Sequence, residues 1–105
     1  MAHVCPVGHR LLERADLLVS NHPAARLERF ALGPERLRQR FPRLVVVNLT
    51  AYGLSGPGAD RPGSGTLAEA SAGLAALTGE PDGPPGLSPV GLGDHLGILQ
   101  GIIAA

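Results

Sequence analysis

The stretch Leu44-Val45-Val46-Val47-Asn48-Leu49-Thr50-Ala51-Tyr52-Gly53 decides the fold. Leu44 to Leu49 is an unbroken apolar run rich in β-branched residues and bounded by Pro42 and Gly53, which predicts a strand built for cover on both faces. Beyond it, Gly53 to Gly65 holds five glycines and two prolines, so regular structure is expected to stop there. Thr66-Leu67-Ala68-Glu69 reads as a capping box, in which the Thr hydroxyl and the Glu carboxylate each satisfy a free N–H. The helix it opens, reaching about Leu77, is almost wholly apolar and is expected to be buried on most sides. Gly79 to Pro89 is loop again, and Asp94 is expected to open the last helix. Toward the N-terminus, Pro42 ends a helix that starts at Pro34 and turns Leu37 inward, with Arg36, Arg38, Gln39 and Arg40 outward. Ala24 to Phe30 is a short helix behind Pro23, whose missing N–H suits the first helical position. Leu17-Leu18-Val19 is a second buried-type strand, and Leu11 to Asp16 reads as the last turns of a helix before it. This order predicts an α/β fold: an open sheet of two parallel strands, joined by a helical crossover and flanked by helices.

Composition narrows the function classes. At 105 residues the chain is expected to form a single partial domain over residues 1–105. Hydrophobic residues make up 44%, which is globular in character. The aromatics are few, Tyr52, Phe30 and Phe41, so any core rests on Leu, Val, Ile and Ala. Nine basic residues balance nine acidic ones, which argues against nucleic acid or an anionic membrane surface as a partner. Cys5 is the single cysteine, so no internal disulfide forms, and a reducing cytoplasm is the expected compartment. Nothing near Met1 resembles a secretory signal, and the apolar tail from Leu96 to Ala105 is too short to span a membrane. That tail stops in apolar periodicity without a capping residue, so truncation at both ends is expected.

Three places could carry chemistry. Asp94 follows glycine at a helix start. There a carboxylate either caps the free amides or stays ionised and open to a ligand, as a carboxylate nucleophile must. Ser20-Asn21-His22-Pro23 follows the first strand, with Arg29 eight residues beyond Asn21. Arg29 is either a solvated helix charge or a guanidinium suited to paired contacts with phosphate. The loop Gly53 to Gly65 lacks both phosphate-loop fingerprints and by itself reads as a surface connection. His3, His9, His22 and His95 show no metal-ligand spacing with Cys5, so no metal is expected.

Asp60-Arg61-Pro62-Gly63, Thr78-Gly79-Glu80-Pro81-Asp82-Gly83-Pro84-Pro85 and Gly93-Asp94, in this order, resemble the core of the family III CoA-transferases. That group includes formyl-CoA transferase, carnitine CoA-transferase and the related acyl-CoA racemases. The resemblance implies a partial Rossmann-like fold and an activity that moves CoA between an acyl-CoA and a carboxylic acid. No tightly bound cofactor is implied; coenzyme A enters as the acyl-CoA substrate. Asp94 falls on the family's nucleophile. Asn21, His22, Pro23 and Arg29 fall on its CoA-binding segment, with His22 and Pro23 replacing an aromatic and a basic residue. Arg61, Pro62, Gly63 and Ser64 fall on the segment lining the CoA and acyl site. Ser64-Gly65 stands where Tyr-Asp is usual and where the racemases carry a histidine base. A 2-methylacyl-CoA racemase is therefore one alternative, and an inactive fragment or interaction module is another. Family members are several times longer and form interlocked homodimers.

Overall fold

The computed structural model describes residues 6–105. The elements are α1 (Pro6–Leu12), β1 (Leu17–Ser20), α2 (Ala24–Arg29), α3 (Pro34–Arg40), β2 (Val45–Asn48), α4 (Gly65–Ser71), α5 (Leu74–Leu77) and α6 (Leu92–Ala104). Among the described residues β1 and β2 form a two-stranded parallel sheet, with Leu17 opposite Val45 and Ser20 opposite Asn48. The fold is thus α/β, with α2 and α3 making the crossover that a parallel pair requires. The ladder extends at both ends: Val45 N–H donates to the Asp16 carbonyl (2.9 Å) and Leu49 N–H to the Ser20 carbonyl (2.8 Å).

The crossover folds as its local chemistry dictates. Pro34 occupies the first turn of α3 behind Gly33, and Leu37 is buried while Arg36, Arg38, Gln39 and Arg40 are exposed. Leu27 on α2 is almost completely buried. That helix ends in a left-handed residue, Ala31 at φ 57°, with Leu32 N–H donating back to the Leu27 carbonyl and Ala31 N–H to that of Glu28. This is the double hydrogen bond of a Schellman cap, made here without glycine.

Several local expectations are corrected. The first helix ends at Leu12, so Leu11 to Asp16 spans a helix end, a turn and the approach to β1. Pro23 is the N-cap of α2 rather than its first residue. The apolar helix over Thr66 to Leu77 is two helices, broken where Gly73 adopts φ 82°. It is not buried on most sides, since Leu67, Leu74 and Leu77 are exposed. Neither partner of the Thr66–Glu69 capping box acts as one. Ser64 is the N-cap of α4, its hydroxyl accepting Leu67 N–H at 3.3 Å, and Glu69 is used elsewhere. Asp94 lies in the first turn of α6, but the N-cap is Gly91.

Sheet cover is one-sided at the strand starts. Alternation and register put Leu17, Val19, Val45 and Val47 on one face. Val47 is buried where α6 crosses it, but Val19, its partner in register, is 56% exposed, and Leu17 and Val45 are exposed too.

Candidate functional site

The site is assembled where α4 and α6 begin. A methyl group added to Gly65 would come within 2.5 Å of the Asp94 backbone N, and one added to Gly93 would strike the Gly65 backbone. The two helix starts therefore meet with bare backbone, and Gly65 is buried in the contact. Eight residues on, Gly101 brings α6 down onto β2, where an added methyl would meet Leu49 Cδ2 at 2.8 Å. Gly93, Gly97 and Gly101 recur every four residues and so share one helix face. This bare face keeps α6 close to its neighbours and leaves a hollow beside Gly97.

That hollow is a cleft of about 800 Å³ between the end of β2, the glycine loop and the first turns of α4 and α6. Asp94 lines it, together with Asn21, Pro23, Arg61, Pro62, Gly63 and Ser64. Seven of the nine residues singled out from sequence thus share one cavity, although they come from three separate segments. His22 and Arg29 do not line it. His22 faces a smaller hollow of about 470 Å³ beside Leu18, Leu27 and Leu32, and Arg29 is exposed in the last turn of α2.

Two carboxylates to which the sequence reading gave no part in the site hold this arrangement. Asp60 Oδ1 accepts Ala25 N–H at 2.9 Å, tying the glycine loop to the first turn of α2, which has no side-chain cap of its own. Glu69 is only 5% exposed. Its Oε2 accepts Ser88 N–H at 3.2 Å and its Oε1 accepts Gly93 N–H at 3.3 Å. The Ser88 hydroxyl in turn accepts Leu92 N–H at 3.2 Å. Glu69 is held below its ordinary pKa of 4.5, foremost by a hydrogen bond from the Ser88 side chain. Burial opposes the shift, and the backbone amides of Ser88, Gly93 and Leu92 add to it. The sequence signal was an acidic residue inside an apolar helix pattern, and the capping-box reading absorbed it.

Asp94 accepts no hydrogen bond on its carboxylate from any described residue. It is exposed at the cleft, with its carboxyl carbon packed over Gly65. Ser64, by contrast, is engaged through its hydroxyl as the cap of α4. Among the described residues no group of three potential metal ligands comes together. His9 packs edge-on against Phe41 and His95 Nδ1 lies 3.1 Å from the Gly91 carbonyl, whereas His3 and Cys5 lie outside the described residues. No helix of the described residues is long and apolar enough to cross a membrane.

Comparisons with known proteins agree on one family. The family model described as CoA-transferase family III matches residues 5–105. The chain is 36% identical over 96 residues to the succinyl-CoA–D-citramalate CoA-transferase of Chloroflexus aurantiacus, covering 91% of this chain and 24% of that protein. It is 34% identical over 98 residues to the succinate–glutarate CoA-transferase of Agrobacterium fabrum, covering 93% and 24%. Among solved structures, a CAIB/BAIF family protein from Brucella suis superposes with a TM-score of 0.74 at 29% identity, covering 92% of this chain and 28% of that one. A hypothetical protein from Mycobacterium tuberculosis gives 0.72 at 34% identity, covering 91% and 26%. The chain therefore belongs to CoA-transferase family III and spans about a quarter of the length of the relatives it matches.

Proposed function

We propose that this chain carries the nucleophile and part of the CoA cradle of an enzyme that moves CoA between an acyl-CoA and a carboxylic acid. One observation carries the reading: the Asp94 carboxylate is exposed to the cleft beside Arg61, Gly63 and Asn21, and no hydrogen bond occupies it. A carboxylate that capped its own helix would be a weaker nucleophile, because its lone pairs would already be engaged.

In this mechanism an Asp94 oxygen attacks the thioester carbonyl, the C–S bond breaks and CoA leaves as thiolate, giving an aspartyl–acyl anhydride. The thiolate then attacks the Asp94 carbonyl carbon, releasing the donor acid as carboxylate and leaving an aspartyl-CoA thioester. The acceptor carboxylate attacks that thioester and expels the thiolate. Attack of the thiolate on the acceptor carbonyl frees Asp94. No step needs a proton, so no partnered base is required beside Asp94. Holding the CoA body throughout keeps each thiolate attack effectively intramolecular. Arg61, at the cleft wall and in no ion pair among the described residues, is the guanidinium suited to the CoA phosphates. Arg29, away from the cleft, is the weaker candidate.

The racemase alternative is disfavoured by Ser64, because an unassisted hydroxyl engaged as a helix cap is a poor base. The test uses the full polypeptide that carries this chain. Asp94→Ala is expected to abolish exchange of labelled CoA into acyl-CoA, and hydroxylamine to trap an adduct at Asp94 in the parent protein. Appreciable turnover by Asp94→Ala would remove the aspartyl intermediate from consideration. Solvent deuterium entering the α-position of a 2-methylacyl-CoA in an Asp94-dependent way would favour the isomerase.

A further inference from the structure

We infer that Glu69 is a positioning residue for Asp94: it caps α6 from a distance and so keeps the Asp94 carboxylate free for the cleft. The inference rests on the reading of Asp94 as nucleophile, but its geometry stands independently.

A helix begins with N–H groups that have no partner within the helix, and a nearby carboxylate is drawn to them by hydrogen bonding and by the helix dipole. In α6 the N-cap is Gly91, in a left-handed conformation at φ 53°, with no side chain to offer. The next acceptor along the chain is Asp94 itself, in the first turn. Left alone, it would be pulled back toward those amides. Instead the first amides are already taken. Leu92 N–H donates to the Ser88 hydroxyl and Gly93 N–H to Glu69, while Glu69 also accepts Ser88 N–H and so fixes the hydroxyl that serves Leu92. Glu69 is 24 residues from Gly93 in sequence, and reaches it only because α4 and α6 meet at Gly65 and Gly93. The same close contact seats the Asp94 carboxyl against Gly65. One buried carboxylate thus does the capping, and the exposed one is spared it.

Two readings on the full polypeptide that carries this chain test this, and neither uses an acyl-CoA. Amide hydrogen exchange at Gly93 is expected to quicken about tenfold in Glu69→Ala, the effect of losing a hydrogen bond to a charged acceptor. Labelling of carboxylates with a carbodiimide and an amine, read by peptide mass spectrometry, is expected to fall about threefold at Asp94 relative to exposed Asp82, as Asp94 turns onto the vacated amides. Glu69→Gln retains one acceptor oxygen and is expected to restore part of both effects. A residue that merely stabilised the fold would raise labelling at both aspartates together and leave their ratio alone. An unchanged Gly93 exchange rate, an unchanged ratio, or no recovery in Glu69→Gln would each overturn the inference. Should Glu69→Ala fail to fold, Ser88→Ala serves instead, with Leu92 as the exchanging amide and the same ratio as readout. A protein whose Asp94 responds to Glu69 in this way yet never reacts with acyl-CoA would defeat the transferase reading and leave the positioning role intact.

Discussion

At Glu69 the fold favours the ionised carboxylate, since Ser88 and Gly93 N–H donate to it and the Ser88 side chain and the Leu92 amide beside it also lower its pKa. Its folded pKa lies below 4.5, whereas in the unfolded chain it returns to that value. Between the two the unfolded state binds the extra proton, so stability from Glu69 is complete above pH 4.5 and drains away as the pH falls below it toward the folded pKa. We expect the thermal midpoint of the full polypeptide that carries this chain to fall as the pH drops below 4.5, and Glu69→Gln to flatten that part of the profile. Equal slopes for the two proteins would mean that other carboxylates govern acid unfolding. The sequence presented this residue misleadingly. Thr66-Leu67-Ala68-Glu69 has the spacing of a capping box, but the helix begins at Gly65, which places Glu69 in mid-helix facing Ser88 and Gly93.

Between elements, the meeting of α4 and α6 sets the shape of the cleft. Gly65→Ala would put a methyl group 2.5 Å from the Asp94 backbone N and 2.7 Å from its carboxyl carbon, with backbone rather than a flexible side-chain end in the way. The helices must separate, at a cost of about 1–3 kcal/mol by the usual scale for overpacking. Urea or thermal unfolding should show the loss, and the carbodiimide reaction at Asp94 should change with it. An unperturbed Gly65→Ala would mean that the two helix starts are not in contact in solution. A smaller effect is expected at the other tether. Asp60→Ala removes the acceptor of Ala25 N–H and should cost about 0.5–1 kcal/mol, because the bond is solvent-exposed. It should also quicken exchange of the Ala25 amide. Much at this scale was legible: both strands, their parallel pairing, the crossover helices and the loop between Gly53 and Gly65 followed from β-branched runs, proline positions and glycine density. The break at Gly73 was not, because a glycine inside an apolar helical pattern is usually tolerated and only the packing around it selects φ 82°.

For the molecule as a whole, surface and size tell the same story. The radius of gyration is 16.9 Å, against about 13 Å for a compact domain of this length. The accessible surface is 7860 Å², against about 5,500 Å² for a folded monomer of this mass. The excess includes Leu17, Val19 and Val45 on the sheet and Leu99, Ile102 and Ile103 (79% exposed) on α6. Apolar faces of this extent associate. The 105-residue chain on its own is therefore expected to self-associate, to unfold without a sharp transition and to show no CoA transfer. Sedimentation and calorimetry check this, and a monomer with a cooperative transition and micromolar CoA affinity would refute it.

The sequence by itself determined whatever depends on neighbours along the chain: where β-branched runs extend, where proline and glycine stop a helix, and which short motifs name the family. Asp94, Arg61 and Asn21 were marked in this way, before any fold placed them in one cleft. Only the tertiary structure decided which acceptor serves which helix. Ala25 N–H finds Asp60 across 35 residues, Gly93 N–H finds Glu69 across 24 and Ser88 N–H finds it across 19. A free amide at a helix start bonds the best-placed oxygen in space, and sequence spacing records only the oxygens close by along the chain. The same holds for Val19 and Val47, paired in register, of which one is exposed and the other covered by α6.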